Sequence, residues 1–187
     1  MPALLLGCLA FSSAFYGVYA FLADHVRTLL ALSAGQVGFI AFAYGAGFLL
    51  AGFAGARLVD RLGPRRALPL ALGVIALVYV GLLPAAHSLA AVLAIATVWG
   101  AASQLSLNLL VLLLSRARPD ERGAVLGLNT CTTYLGASVG TAIAGTLYTH
   151  AGFETLGLCA AAALAAAAVG LHWRLNGRRG AAARATA

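Results

Sequence analysis

Apolar residues along the chain gather into six long runs, at about 3–23, 35–58, 67–86, 89–114, 122–149 and 153–175, each close to the roughly 20 residues a helix needs to cross a bilayer core. Polar or turn-forming residues punctuate the runs. Strict alternation of apolar and polar positions is absent and Ala and Leu dominate, so the pattern predicts transmembrane helices and not the strands of a barrel. The expected fold is all-α: a polytopic membrane protein of six helices, followed by a short basic tail at 176–187. The runs use nearly all of the 187 residues, so neither a soluble domain nor an internal linker is expected.

Composition supports that class. With 62% hydrophobic and 9% charged residues and a mean hydropathy of +0.95, a water-soluble chain of this length could not cover its surface with polar groups. The net charge of +7 raises the question of nucleic-acid binding, which the positions of the charges answer. All twelve basic residues are Arg. Arg57, Arg61, Arg65 and Arg66 fall between the second and third runs, Arg116, Arg118 and Arg122 between the fourth and fifth, and Arg174, Arg178, Arg179 and Arg184 after the sixth. With six spans these places share one side of the membrane, and only Arg27 falls on the other. That asymmetry follows the positive-inside rule and predicts cytoplasmic termini. The basic surplus is topological, and no nucleic-acid partner is expected.

The apolar N-terminus is not read as a signal peptide. No positive region precedes it, and too few residues stand before Cys8 for an apolar signal core. Cys8, Cys131 and Cys159 lie inside runs at unrelated spacings, which implies neither a disulfide framework nor a metal site.

The densest charge in the chain is the turn Asp60-Arg61-Leu62-Gly63-Pro64-Arg65-Arg66. Gly63 permits a tight reversal, Pro64 fixes its own backbone before the third run, and Arg65 and Arg66 can settle among anionic lipid headgroups. Asp60 has no role in that account. Asp60, Arg61, Gly63, Arg65 and Arg66 match the pattern Gly-x-x-x-Asp-Arg-x-Gly-x-Arg-Arg, which marks the loop after the second helix of each six-helix repeat in the major facilitator superfamily. The chain resembles that family over nearly its whole length. One departure is Ala56 at the position of the leading Gly, with Gly55 one place early. A second match is Gly136-Ala-Ser-Val-Gly140-Thr-Ala-Ile-Ala144-Gly145, which resembles the antiporter pattern Gly-x-x-x-Gly-Pro-x-x-Gly-Gly with Thr141 in place of Pro and Ala144 in place of Gly. Second repeats of the family keep the small residues and lose the Pro. The resemblance therefore implies the C-terminal half of a twelve-helix permease of the bacterial inner membrane, most similar to efflux-type members.

The same resemblance implies that Asp60 meets a helix end of the opposite repeat and biases a gating state, since a carboxylate near a helix N-terminus is stabilised by about 0.3 to 1 kcal/mol. The plainer reading is a local surface pair with Arg61 or Arg65, of little worth. It also implies that the first, second, fourth and fifth helices line a central cavity. Polar residues fall on those helices: Ser12, Ser13, Tyr16 and Tyr19, then Tyr44, then Ser103, Gln104, Ser106 and Asn108, then Asn129, Thr130, Thr132, Thr133 and Tyr134. The third and sixth runs are nearly pure Ala, Leu, Val and Gly. Tyr16, Tyr44, Gln104, Asn108, Asn129 and Tyr134 are the candidate cavity contacts. Gln104 and Asn108, four apart, share one helix face, where they either line the cavity or bond to a neighbouring helix.

Small residues recur at a spacing of four, Gly123 and Gly127 and then Gly136, Gly140 and Ala144, a row expected to mark close helix packing. No strand precedes a glycine cluster and no Lys is present, so the rows are not a nucleotide cradle, and no cofactor is expected. The His-Glu-x-x-His signature of zinc proteases is absent and no pair of Asp falls within a run, so an enzyme is not expected. Asp24, Asp120, Glu121 and Glu154 sit at run ends, and His25, His87 and His150 gather at the far side, where His150 and Tyr148 form either a titrating vestibule or part of a solvated loop. If protons drive transport, the coupling residue is expected in the other repeat.

The sequence thus predicts transport of a small solute or drug by alternating access, with this chain supplying one wall of the site. Its expected partners are membrane lipids and either a missing N-terminal repeat or a second copy. A fragment of a longer frame is favoured, because the first run opens at Met1 without a basic flank. The competing expectation is a non-transporting six-helix scaffold that works with another permease. Hydroxyls, amides and rings suit sugars, drugs and amino acids alike.

Overall fold

The computed structural model describes residues 1–185, with all side chains except those of Ala54, Ala56 and residues 176–185. The basic tail at 176–187 therefore lies outside the described side chains. Every described element is helical: α1 (Pro2–Leu30), α2 (Ala34–Leu62), α3 (Pro64–Ala85), α4 (Leu89–Ala117), a 3-10 turn (Pro119–Glu121) and α5 (Arg122–Ala185). Among the described residues, five helices are long and apolar enough to cross a membrane.

Local chemistry sets the ends of these helices. Ala31 takes a left-handed conformation after α1, and Ser33 opens α2 with a capping box, in which Gln36 N–H donates to Ser33 Oγ at 3.4 Å and Ser33 N–H donates to Gln36 Oε1 at 2.9 Å. Gly63 closes α2 and opens α3 in one residue. Its φ of 75° and ψ of 148° need a glycine, its N–H donates to the Val59 carbonyl at 2.8 Å, and Pro64 follows where a helix lacks need of an N–H. Between α4 and α5, Arg118 and Glu121 form an exposed ion pair at 3.0 Å, a geometry that contributes little stability.

α5 is not one straight rod. Gly152, at φ 78° and ψ 173°, breaks it into arms 122–151 and 153–185 that fold back on each other. Leu147 and Leu156, on either side of the break, line one groove against α1 with Ile143 and Ala160. That conformation is open almost solely to glycine. Gly152→Ala is therefore expected to lower stability by about 1–3 kcal/mol. Thermal unfolding in detergent checks it against Gly170→Ala, a site with nothing within 4 Å and no positive φ.

Contacts along the helices give their directions. Gly136 lies against Ser12, Gly140 against Ser13, Ala144 against Gly17, and Tyr148 bonds to Asp24, so α1 and the first arm of α5 run parallel. The second arm runs antiparallel to α1, with Phe153 on His25 and Leu171 on Gly7. α2 and α4 are also parallel, with Gly47 on Thr97 and Gly55 on Leu105. α3 joins the two pairs, packing on α4 and on the second arm, where Gly157 meets Leu83.

Lipid gives helices no hydrophobic reason to associate, so close backbone approach and dispersion must hold these pairs. The tightest approach is between α2 and α4: a Cβ added at Gly47 would collide with the Thr97 carbonyl, and one added at Gly100 with the Tyr44 carbonyl. The core centres on Trp99, Tyr79, Leu72, Ile75 and Leu82, all at most 1% exposed. α2 is the least covered span. Phe39, Phe42, Leu49, Leu50 and Phe53 on it are exposed, as are Tyr134, Leu135, Val139 and Ile143 on α5. Faces this apolar require lipid or protein over them.

Candidate functional site

Aromatic rings from four helices meet between the α1/α5 and α2/α4 pairs. Phe15 and Tyr19, one turn apart on α1, stack at 5.5 Å. Both reach Trp99 on α4, at 5.4 and 5.9 Å, and both reach Tyr44 on α2, at 5.7 Å each. Tyr44 and Tyr79 of α3 then meet Trp99 edge-on, each at 5.4 Å. Stacked, tilted and edge-on pairs of this kind are favoured by the ring quadrupoles. α1 touches α2 and α4 little elsewhere, so these rings form much of the bond between the two helix pairs.

The cluster is graded in exposure. Trp99 is 1% exposed at its base, whereas Tyr16 and Tyr19 are 38% and 40% exposed at its edge. The result is a wall with apolar ring faces, phenolic hydroxyls at its open side and no formal charge. Such a wall can hold the flat or aliphatic part of a solute and bond to its hydroxyl or amide groups.

Of the sequence-predicted cavity residues, Tyr16 and Tyr44 are brought together through Phe15, which Tyr16 meets edge-on at 5.0 Å. Gln104 is half-buried and Asn108 exposed, further along α4 from Trp99 toward the end that carries the charged turn. Neither amide bonds to another described residue. The structure does not join Asn129 or Tyr134 to the rings. Asn129 sits at the contact of α1 with α5: its carbonyl accepts from the Thr133 hydroxyl at 2.9 Å and from the Cys8 thiol at 3.9 Å, while its buried Oδ1 has no partner among the described residues. Tyr134, 67% exposed, stands on the outer face of α5 with Leu135.

Asp60, Arg61, Arg65 and Arg66 are all exposed around Gly63. Among the described residues Asp60 makes no ion pair with Arg61 or Arg65. Gly136, Gly140 and Ala144 lie against α1, with Gly136 placing a would-be Cβ 2.9 Å from Ser12 Cβ and 3.0 Å from the Leu9 carbonyl. Gly123 and Gly127, at the same spacing, have nothing within 4 Å.

At the opposite end of the bundle the Tyr148 hydroxyl donates to Asp24 Oδ2 at 2.9 Å, and His25 stacks on Phe153 at 4.4 Å. His150 does not share Tyr148's partners; its Nδ1 lies 2.9 Å from the Thr146 carbonyl of its own helix. Sequence reasoning missed Phe15 and Trp99 as parts of the wall, and the Gly47/Gly100 crossing that holds Tyr44 beside it. The i, i+4 ring pairs Phe15/Tyr19 and Tyr44/Phe48 were the available signal.

Two comparisons with known proteins bear on this arrangement. A family model described as Major Facilitator Superfamily matches residues 4–186. The chain is also 31% identical over 148 residues to a protein of Bacillus subtilis (strain 168) named "Uncharacterized MFS-type transporter YwfA". That match covers 79% of this chain and 36% of the relative, so the chain spans little more than a third of that protein's length. With an all-helical fold of membrane-crossing length and a family match over almost its entire sequence, the chain belongs to the Major Facilitator Superfamily of membrane transporters.

Proposed function

We propose that this chain is one six-helix repeat of an alternating-access carrier for a small solute or drug, and that it supplies one wall of a central cavity. The candidate span Pro119–Leu175 has 57 residues, roughly 85 Å of helix, far beyond a core of about 30 Å. Broken at Gly152, it accounts for two crossings, giving six in all. An even number would put both termini on one side, and the grouping of Arg57, Arg61, Arg65, Arg66, Arg116, Arg118, Arg122 and Arg174 supports taking that side as the cytoplasm, with the chain in a bacterial inner membrane. Thr141 in the antiporter-like stretch favours the C-terminal repeat.

The observation that carries the transport reading is the graded wall of Tyr16, Tyr19, Tyr44 and Trp99 with the amides of Gln104 and Asn108, which bond to no other described residue, further along α4. The amides of Gln104 and Asn108 and the exposed phenols of Tyr16 and Tyr19 would be costly in lipid, and a water-filled cavity facing a second repeat satisfies them. The test is flux in everted vesicles of the native carrier, with ethidium and a panel of radiolabelled sugars and amino acids as probes. Tyr44→Ala and Gln104→Ala should each lower flux of the transported probe about ten-fold, a loss of roughly 1.4 kcal/mol, at unchanged membrane abundance. A non-transporting scaffold predicts no flux in any arm and no effect of Asp60, Gln104 or Asn108 substitutions.

A further inference from the structure

A groove of about 400 Å³ opens on the outer side of α2, α3 and α4, lined entirely by apolar residues. Leu58 and Leu62 form its α2 wall, Leu70 and Val74 its α3 wall, and Val98 and Leu105 stand on its α4 floor. It is distinct from the aromatic wall, sharing no residue with it. Its rim residues Leu58, Leu62, Leu70, Val74 and Val98 are between 38% and 56% exposed, so no other part of the described chain covers it.

Charge marks one end of the groove. Leu58, Arg61 and Leu62 share a face of α2 at spacings of three and four, and Arg66, Leu70 and Val74 share a face of α3 at a spacing of four. Arg61 and Arg66 therefore stand at the mouth where the two walls meet the turn at Gly63, and both are exposed. Arg57 and Arg65 flank them, and the turn's single acid, Asp60, leaves a local surplus of positive charge. Among the described residues no carboxylate pairs with any of these four guanidinium groups. From Leu62 the groove runs inward as far as Val74 on α3 and Val98 on α4. The seven residue steps of α3 from Ala67 to Val74 correspond to a rise of roughly 10 Å, a depth reached by an acyl chain whose headgroup stays at the interface.

We propose that this groove is a binding site for one anionic diacyl phospholipid, with an acyl chain between α2, α3 and α4 and its phosphate on Arg61 and Arg66. The charge complementarity selects lipid over a further helix, because an apolar helix seated there would leave the arginines at the mouth without a counter-charge. Guanidinium groups bind phosphate oxygens in a bidentate fork, and each basic residue near an anionic surface contributes on the order of a five-fold preference. The inference stands apart from the transport reading and needs no knowledge of the solute.

Native mass spectrometry of the full carrier, released from nanodiscs of equal parts phosphatidylglycerol and phosphatidylcholine, reads retained lipid directly. The wild-type protein should retain phosphatidylglycerol in preference to phosphatidylcholine. R61Q/R66Q should lose that preference by roughly five-fold for each arginine removed. A101F, which fills the groove from its half-buried α4 floor, should lose retention of both lipids; if that variant does not fold, V74F fills the groove from its exposed α3 rim. Equal retention of the two lipids by the wild type, an undiminished preference in R61Q/R66Q, or full retention after groove filling would each overturn the proposal. The last result would place the retained lipid elsewhere on the carrier.

Discussion

Gly100→Leu is expected to remove most folded protein from the membrane, with a destabilisation of about 3 kcal/mol, the upper end of ordinary overpacking. A side chain at Gly100 would meet the Tyr44 carbonyl and the Phe48 N–H of α2, and these are backbone atoms that cannot rotate aside. The crossing has a second key of the same kind, Gly47 under Thr97, so α2 cannot slide along α4 to escape. Few other contacts hold α2: only 17% of its apolar window is buried, against 56% for α3. Displacing α2 would also draw the Tyr44 ring away from Trp99, now 5.4 Å off, so any surviving fold would lose part of the wall. Gly140→Leu should behave similarly against Ser13. Gly127→Leu, with nothing within 4 Å, should change the stability of the chain by no more than about 0.5 kcal/mol. Fluorescence-detected chromatography with thermal challenge separates these outcomes, and wild-type stability in Gly100→Leu would show that the α2/α4 crossing is misplaced.

Asp60→Asn is expected to lower flux between about five-fold and thirty-fold while leaving the amount of folded protein unchanged. Those factors correspond to roughly 1 and 2 kcal/mol, the range for a carboxylate at an exposed or partly buried helix N-terminus. The stability half of the expectation comes from the structure: Asp60 is exposed and makes no ion pair among the described residues, so no described contact depends on its charge. The flux half comes from the proposal that the turn faces the other repeat and weights one conformation. Asp60→Glu, which keeps the charge, should restore most of the flux. A fall in folded protein that tracks the fall in flux would return Asp60 to a local structural role.

The helical membrane class was legible because lipid leaves a chain little choice. Backbone groups must bond within their own segment, so long apolar runs between charged turns have few other solutions. The turn at Gly63 was legible for a similar reason, since Gly followed by Pro between two runs is a reversal with its chemistry on display. Gly152 lies in the gap between the runs ending near 149 and beginning near 153, and its positive φ is the physical form of that gap. Contacts between helices were less legible. Gly123 and Gly127 repeat at the same interval as Gly136 and Gly140, yet only the second pair touches α1, because spacing specifies a shared face and says nothing of what faces it. Gly47 and Gly100 stand in Ala- and Gly-rich stretches, where one glycine looks like the next until the helices are brought together. The aromatic wall failed for the same reason. Phe15, Tyr44 and Trp99 come from helices remote in sequence, and polarity alone singled out Tyr44 but passed over Phe15 and Trp99.

This repeat is proposed to form only half of a transport cavity. The measurement closest to that claim is the mass of the smallest unit that sustains flux, obtained by extracting the native carrier, sizing it and reconstituting the sized fractions into vesicles. Half a cavity predicts that flux resides in a unit of at least about twice 18.9 kDa, either one longer chain or a pair, and that cross-links from α2 and the first arm of α5 fall on its other half. Flux from a monodisperse unit of 18.9 kDa would contradict it, because a single repeat would then enclose a complete pathway.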